Sequence, residues 1–296
     1  MRDTSETTLY GVRLTHPDRV LYPELGLTKR ELVKYYARLA DHLLPEVVGR
    51  PLSVVRCPEG RGGECFYQKH TTRDMPEYIG RVPIQEDAAV ADYLEVHDRT
   101  GLLWLVQMGT LEIHPWGAHS ADVEHPDRMI FDADPAPGVA WGEVERCALR
   151  LRELLVEVGL TSFVKTTGGK GLHVVVPLAP GPSWDQVKDF AHAVALRLEK
   201  EEPARYLANM SKTKRAGRIF VDYLRNARGA TAVAAYSTRA RSGAPVSTPL
   251  FWEELGSGLH PEQLNVATVP DRLAAQEQDP WAAMRKLRQR LPEAFS

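Results

Sequence analysis

Apolar residues at Leu32, Tyr35, Tyr36, Leu39 and Leu43 recur at three- and four-residue intervals, the spacing of one face of a helix. Thr28 stands in front of this stripe with Glu31 three positions on. That pair predicts a capping box and a helix running from Lys29. Pro45 and the run Gly49-Arg50-Pro51 predict its end. Residues 52–56 read as a strand, followed by a turn rich in glycine (Gly60, Gly62, Gly63) and by Cys65-Phe66-Tyr67-Gln68-Lys69-His70. The apolar stretch 101–109 predicts a buried helix, and 111–116 the end of a strand.

From Arg128 onward the pattern becomes regular. Strands are expected over 129–134, 162–166, 172–178 and 218–223, with 162–178 forming a hairpin, and amphipathic helices over 141–158 and 184–201. A last strand is expected over 231–237 and a closing basic helix over 281–290. Strand–helix–strand–strand–helix–strand is the split βαβ order of ferredoxin-like and RRM-like domains. The fold class is therefore α/β in the α+β sense, with an antiparallel or mixed sheet flanked by helices. Repeats, low-complexity tracts and linkers are absent from the sequence, which predicts one unit with two lobes.

Composition narrows the class. The chain has 296 residues, 43% hydrophobic and 26% charged, as expected of a globular protein. No apolar run approaches the roughly 20 residues a membrane span needs. Met1 to Thr8 is polar and lacks the apolar core of a signal peptide, which predicts a cytoplasmic protein. Cys57, Cys65 and Cys147 are odd in number and show no C-x-x-C spacing, arguing against a disulfide framework or a cysteine-only zinc site. A net charge of −2 conceals a gradient: between Arg205 and Arg241 lie nine basic residues and one acid, Asp222. A solubilising face would mix in glutamate, so this stretch reads as a surface for phosphates.

The candidate chemistry begins with Asp132 and Asp134, spaced i, i+2 at the end of the apolar run 129–131. Alternation along a strand points both the same way, with Ala133 facing back. Asp222 ends an equally apolar run, Ile219-Phe220-Val221. Three oxygen donors on neighbouring strands suit Mg²⁺ or Mn²⁺ ions that also bind substrate phosphates. An isolated D-x-D also occurs in turns, calcium loops and sugar-nucleotide transferases. Thr167-Gly168-Gly169-Lys170-Gly171 is equally unspecific alone and fails the Walker A pattern, because Gly171 stands where Ser or Thr should follow the lysine. The order carries the signal: acid pair, Gly/Lys loop, His173 on a strand, third acid, then Arg239 and Arg241.

With these blocks in place, the chain resembles the polymerase domain of bacterial ligase D, in the archaeo-eukaryotic primase superfamily. The likeness runs from Leu14-Thr15-His16-Pro17 to about Trp281. It takes in Phe66-Tyr67-Gln68-Lys69-His70, Gln107-Met108-Gly109-Thr110-Leu111-Glu112-Ile113-His114, the acid pair, the Gly/Lys/His loop, Phe220-Val221-Asp222-Tyr223 and Ala235-Tyr236-Ser237-Thr238-Arg239-Ala240-Arg241. The resemblance implies a two-lobed primase-polymerase fold over residues 1–296. In it, 1–127 form a lobe contacting DNA ends, 128–250 the catalytic core and 251–296 a helical closure. It implies nucleotidyl transfer that adds ribonucleotides or deoxyribonucleotides to primer 3′ ends at DNA breaks and gaps in non-homologous end joining. DNA with a 5′-phosphate, NTP or dNTP, Ku and a DNA ligase are the implied partners, with no membrane and a nucleoid-associated location.

Carried onto this sequence, the resemblance places two Mn²⁺ or Mg²⁺ ions on Asp132, Asp134 and Asp222. Nucleotide contacts fall on His114, Thr167, Lys170, His173, Arg225, Arg239 and Arg241. Arg19 and Lys29 take a downstream 5′-phosphate, and Phe66 stacks on template bases. Ala133 replaces a common leucine, Thr167 a common serine, Arg19 a lysine-type charge, and Pro135-Ala136-Pro137-Gly138 stiffens the exit loop. None of these removes a group the chemistry needs. A D-x-D glycosyltransferase would leave Asp222 and the arginines unused. A non-catalytic nucleic-acid binder would leave three like charges together without purpose.

Overall fold

The computed structural model describes residues 6–293 and Phe295, so Met1–Ser5 of the polar N-terminal stretch lie outside the described residues. The chain divides into two compact units. The first contains the chain up to Trp116 together with Val233–Ser247 and Leu264–Ala275. The second contains Gly117–Ala232, Thr248–Gln263 and the segment from Gln276.

In the first unit the Lys29–Val47 helix starts as expected. Thr28 Oγ1 accepts from the Glu31 N–H, and Glu31 Oε2 accepts from the Thr28 N–H at 2.7 Å. Leu32, Tyr36, Leu39 and Leu43 are fully buried, each contributing about 1.5–3 kcal/mol on leaving water. Pro45 does not end the helix. It sits inside it, and burial of Leu43 and Val47 on either side outweighs the one hydrogen bond it removes. The Arg99–Gln107 helix packs against it, capped by Asp98, whose side chain accepts from the Gly101 N–H. The sheet pairs Leu52–Arg56 antiparallel with both Phe66–Gln68 and Thr110–Pro115. A long hairpin, Ile79–Gln85 with Val90–Val96, completes it. That hairpin was not among the expected elements, although Val82 and Ile84 alternate with exposed Arg81, Pro83 and Gln85.

Two sequence expectations fail here. Cys57 and Cys65 are disulfide-bonded. The glycine-rich turn between them folds back on itself, and Gly60, at φ +86°, lies so close to Val20 that a Cβ would sit 2.7 Å from the Val20 carbonyl oxygen. An odd cysteine count carries no information once the leftover thiol, Cys147, is buried in a helix elsewhere. Residues 231–237 are buried as expected but form no strand. Tyr236 has φ +67°, and the segment spends its N–H groups on Ile113 and Ser247.

The second unit is a six-stranded sheet in the order Tyr206–Leu207, Ile219–Asp222, Arg128–Pro135, Leu172–Pro177, Phe163–Thr166, Pro249–Leu250. The four central strands are antiparallel. Helices Trp141–Glu157 and Trp184–Glu201 pack on this sheet and against each other, giving the expected RRM-like order. The 281–290 helix is absent. Trp281 and Met284 are buried, but the chain there makes turns, and Gln289 bridges to Leu178 in extended form. An i, i+3 apolar pair fits a turn as well as a helix. Among the described residues, no helix is long and apolar enough to cross a membrane.

Thr28→Ala removes the hydroxyl half of the capping box and should cost about 1 kcal/mol, within a range of roughly 0.5–2. Urea unfolding should show a lower midpoint with an unchanged slope. An unchanged midpoint would mean that the cap contributes nothing beyond the packing of the stripe.

Candidate active site

Sheet register assembles the acidic centre. Asp132 lies directly opposite Asp222 on one neighbouring strand and opposite His173 on the other. His173 in turn lies opposite Lys165. Lys165, His173, Asp132 and Asp222 therefore form one row across four strands, all on the same face. Asp134, two residues on from Asp132, shares that face and lies opposite Phe220. Asp132, His173 and Lys165 are buried, and Asp222 nearly so.

Like charges this close must be neutralised, and the arginines do it. Arg225 Nη2 donates to Asp132 Oδ2 at 3.2 Å, while its Nε is 3.5 Å from Asp222 Oδ2. Arg215 Nη1 donates to Asp134 Oδ2 at 2.9 Å, its guanidinium lying over the Phe220 ring. Burial pushes up the pKa of Asp134 and Asp222, and the Asp132 charge adds to both. Burial opposes ionisation of Asp132 too, but His173 and Arg225 hold it well below the usual carboxylate range. Burial and the Lys165 charge lower His173 to about 4, leaving it neutral at physiological pH. Its Nε2 lies 3.5 Å from Asp132, and its Nδ1 has no hydrogen-bond partner among the described residues.

The glycine loop presses against this centre. Thr167 Oγ1 donates to the Gly171 carbonyl at 3.1 Å, closing the loop, and Lys170 is exposed at its tip. A Cβ on Gly171 would meet the Ala133 carbonyl oxygen at 2.7 Å and Asp132 Oδ1 at 3.4 Å. Only glycine lets the loop approach the acid pair this closely. Hard oxygen donors on one face suit Mg²⁺ or Mn²⁺. Among the described residues, no three histidine, cysteine, aspartate or glutamate side chains converge on a single metal-binding point, and the guanidinium groups supply the counter-charge. The donor chemistry therefore fits a divalent cation, with Arg225 and Arg215 on the oxygens such an ion would take.

The first unit holds a separate cluster. Glu112 and His114 are two apart on the Thr110–Pro115 strand, and His114 Nε2 is 2.8 Å from Glu112 Oε2. Arg239 Nε lies 2.9 Å from the same oxygen, and Tyr67 meets the His114 ring edge-on. The chain bends at Ala240 rather than running as a strand, so i, i+2 alternation does not apply there, and Arg241 is exposed. Arg19 Nη1 donates to the Pro58 carbonyl and to Glu59, both at 2.7 Å. Lys29 is buried, donating to the Thr15 carbonyl at 2.8 Å and to Gln107 at 3.4 Å. Burial, with Arg19 and Arg56 adding positive charge, lowers its pKa to about 8. Phe66 is 42% exposed on the strand next to Leu52–Arg56, under the Arg56 guanidinium.

The basic stretch 205–241 is not one phosphate-facing surface. Arg205 pairs with Glu143 and Glu202, Arg228 with Glu124, and Arg215, Arg225 and Arg239 with the acids already described. Local charge counting misses acids that folding delivers from elsewhere. Lys165, Arg215 and Glu112 went unread as site residues. Glu112 carried a signal, its i, i+2 spacing from His114. Lys165 carried none, because only register puts it beside His173.

A four-stranded RRM-like sheet with three carboxylates, a neutral histidine and a glycine/lysine loop on one face is the core of a nucleotidyltransferase. Comparison with known proteins agrees. The family model described as LigD, primase-polymerase domain, matches residues 28–281. The chain is 43% identical over 292 residues to the multifunctional non-homologous end joining protein LigD of Pseudomonas aeruginosa, covering 98% of this chain and 35% of that protein. It is 36% identical over 266 residues to the protein of that name from Mycolicibacterium smegmatis, covering 88% and 34%. Among solved structures, the polymerase domain from Mycobacterium tuberculosis ligase D in complex with DNA superposes with a TM-score of 0.87 at 32% identity, over 93% of this chain and 98% of that one. The chain spans about a third of the length of these two curated relatives. It belongs to the LigD primase-polymerase domain family, a family of metal-dependent, DNA-directed nucleotidyltransferases.

Lys29 offers a test of its burial. Its folded pKa of about 8 lies below the ordinary 10.5, so between those values the unfolded chain binds more protons than the folded one. Stability should therefore rise with pH across that window, and the rise should vanish in Lys29→Met. Urea unfolding of both proteins at pH 7.5, 9 and 10 checks this. A parallel pH dependence in the two would show that Lys29 titrates normally.

Proposed function

We propose that this chain is the polymerase module of a non-homologous end-joining enzyme, extending primer 3′ ends with ribo- or deoxyribonucleotides at DNA breaks and short gaps. The observation that carries the reading is the row of Asp132, Asp222 and His173 on one sheet face with Asp134 beside it. Residues 1–296 are proposed to act as a single primase-polymerase domain. Ku and a DNA ligase are proposed partners, in a nucleoid-associated cytoplasmic setting.

Asp132, Asp134 and Asp222 are the residues that would hold two Mg²⁺ or Mn²⁺ ions. When bound, the two ions supply activation of the 3′-hydroxyl and charge stabilisation of the attacking and leaving oxygens of an in-line displacement. Arg225, which neutralises Asp132 and Asp222 here, is assigned to the triphosphate once cations take over that role. His173, with Nε2 beside Asp132, is assigned to a phosphate oxygen through its Nε2–H once cations hold the aspartate. Thr167 fixes the loop, its glycines admit phosphate close to the backbone, and Lys170 reaches from its tip. His114, Arg239 and Arg241 are assigned to nucleotide phosphates. Arg19 and Lys29 are assigned to a 5′-phosphate, since two neighbouring cations, one of them buried, favour an anion beside them. Phe66 is exposed and available for stacking on a template base, worth about 1–3 kcal/mol whatever the base.

Asp132→Ala, Asp134→Ala and Asp222→Ala should each lower primer extension about 100-fold or more, a loss of roughly 3 kcal/mol or more in the transition state. The fold should survive, because each change removes one of a set of mutually repelling charges. Extension assays on gapped DNA with Mn²⁺, beside thermal melts, read both. Near-normal extension by any one variant removes that residue from the catalytic set.

The end-recognition role is tested separately. Wild type should fill a gap with a 5′-phosphate better than one with a 5′-hydroxyl, and the advantage should fade as salt rises. Arg19→Ala/Lys29→Ala should lose the advantage while still extending a plain primer–template. Equal filling of both gaps by wild type would sink this assignment.

A further inference from the structure

Glu112 engages three groups of the first unit, and no role in the reaction has been given to it. Its side chain is only 7% exposed. Oε2 faces both His114 Nε2, at 2.8 Å, and Arg239 Nε, at 2.9 Å. Oε1 accepts the Ala240 main-chain N–H at 2.8 Å. Burial opposes its ionisation, but the His114 hydrogen bond and the Arg239 charge hold its pKa at about 2, so it is a carboxylate at any working pH.

The fold goes to some length to bring these partners together. The 234–240 segment is pinned alongside the Thr110–Pro115 strand. The Ala234 N–H donates to the Ile113 carbonyl, Ser237 Oγ accepts the Ile113 N–H at 2.9 Å, and Thr238 Oγ1 donates to the Leu111 carbonyl at 2.6 Å. Tyr22 Oη anchors the Arg239 carbonyl at 2.9 Å. Glu112 reaches Arg239 and His114 with one oxygen.

A carboxylate has no proton to give, so the nitrogen facing it must carry one. We propose that Glu112 is a positioning residue for nucleotide binding, holding His114 with Nε2 protonated and aiming the Arg239 guanidinium, so that both meet the incoming triphosphate preformed. The proposal rests on the assignment of His114 and Arg239 to the nucleotide. Its chemistry is that of the carboxylate behind a functional histidine, where an amide replacement keeps the shape and imposes the wrong tautomer. In Glu112→Gln the side-chain amide would turn its N–H toward His114, forcing Nε2 to become the acceptor, while the amide oxygen still serves Ala240.

The experiment compares wild type, Glu112→Gln, His114→Ala and Glu112→Gln/His114→Ala in Mn²⁺-dependent primer extension, with DNA affinity measured in parallel. Glu112→Gln should raise the KM for NTP by about tenfold or more, with DNA affinity unchanged. The losses in the double variant should be clearly less than multiplicative, since Glu112 acts in part through His114 and only its hold on Arg239 remains to be lost. Nitrogen NMR of histidine-labelled wild type, with His114 assigned by its absence from His114→Ala, should show a protonated Nε2 at pH 7. That readout needs no Glu112 variant and stands even if Glu112→Gln misfolds. An unprotonated Nε2 in wild type overturns the proposal. A normal KM for Glu112→Gln beside a defective His114→Ala overturns it alone, and the nucleotide assignment survives. A normal KM for His114→Ala overturns that assignment and this proposal together.

Discussion

Electrostatic repulsion among Asp132, Asp134 and Asp222 is the constraint around which the second unit is built. Strand pairing fixes Asp132 opposite Asp222, and alternation fixes Asp134 on the same face, so none of the three can turn away. The cost appears as raised pKa values for Asp134 and Asp222. The compensation appears as Arg225 spanning two acids and Arg215 holding the third. A purely structural sheet would place valines in this row. Arg225, Arg215 and, for Asp132, His173 keep the acid cluster compensated.

The first unit uses the opposite arrangement. There a single buried carboxylate, Glu112, gathers a histidine and an arginine, and Lys29 is buried near Arg19. Both clusters sit on strands or on segments hydrogen-bonded to strands, which keeps the charged groups from relaxing away from one another.

Legibility followed physical range. The capping box at Thr28 and Glu31, the stripe from Leu32 to Leu43, and the alternation around Asp132 are local, and the structure reproduces them. The 231–237 strand, the 281–290 helix and the helix end at Pro45 failed because tertiary partners overrode local preference: Ile113 and Ser247 for the first, Leu178 for the second, the buried stripe for the third. The Cys57–Cys65 bond escaped because parity of cysteines says nothing about which turn brings two of them together. The basic stretch looked like one surface because its neutralising acids, Glu124, Glu143 and Asp134, lie far off in sequence.

By itself the sequence determined the order of elements in the second unit and the residue types gathered in its acidic centre. Periodicity and spacing are written within a few residues of one another, and the ordered blocks pointed to the family before any contact was known. Only the tertiary structure decided which charges face each other. It alone set Lys165 beside His173, buried Lys29, turned Arg225 onto two acids and delivered Arg239 to Glu112. Those pairings depend on register between strands and on segments more than a hundred residues apart, as Glu112 and Arg239 are, and Coulomb energy depends on distance in space rather than along the chain.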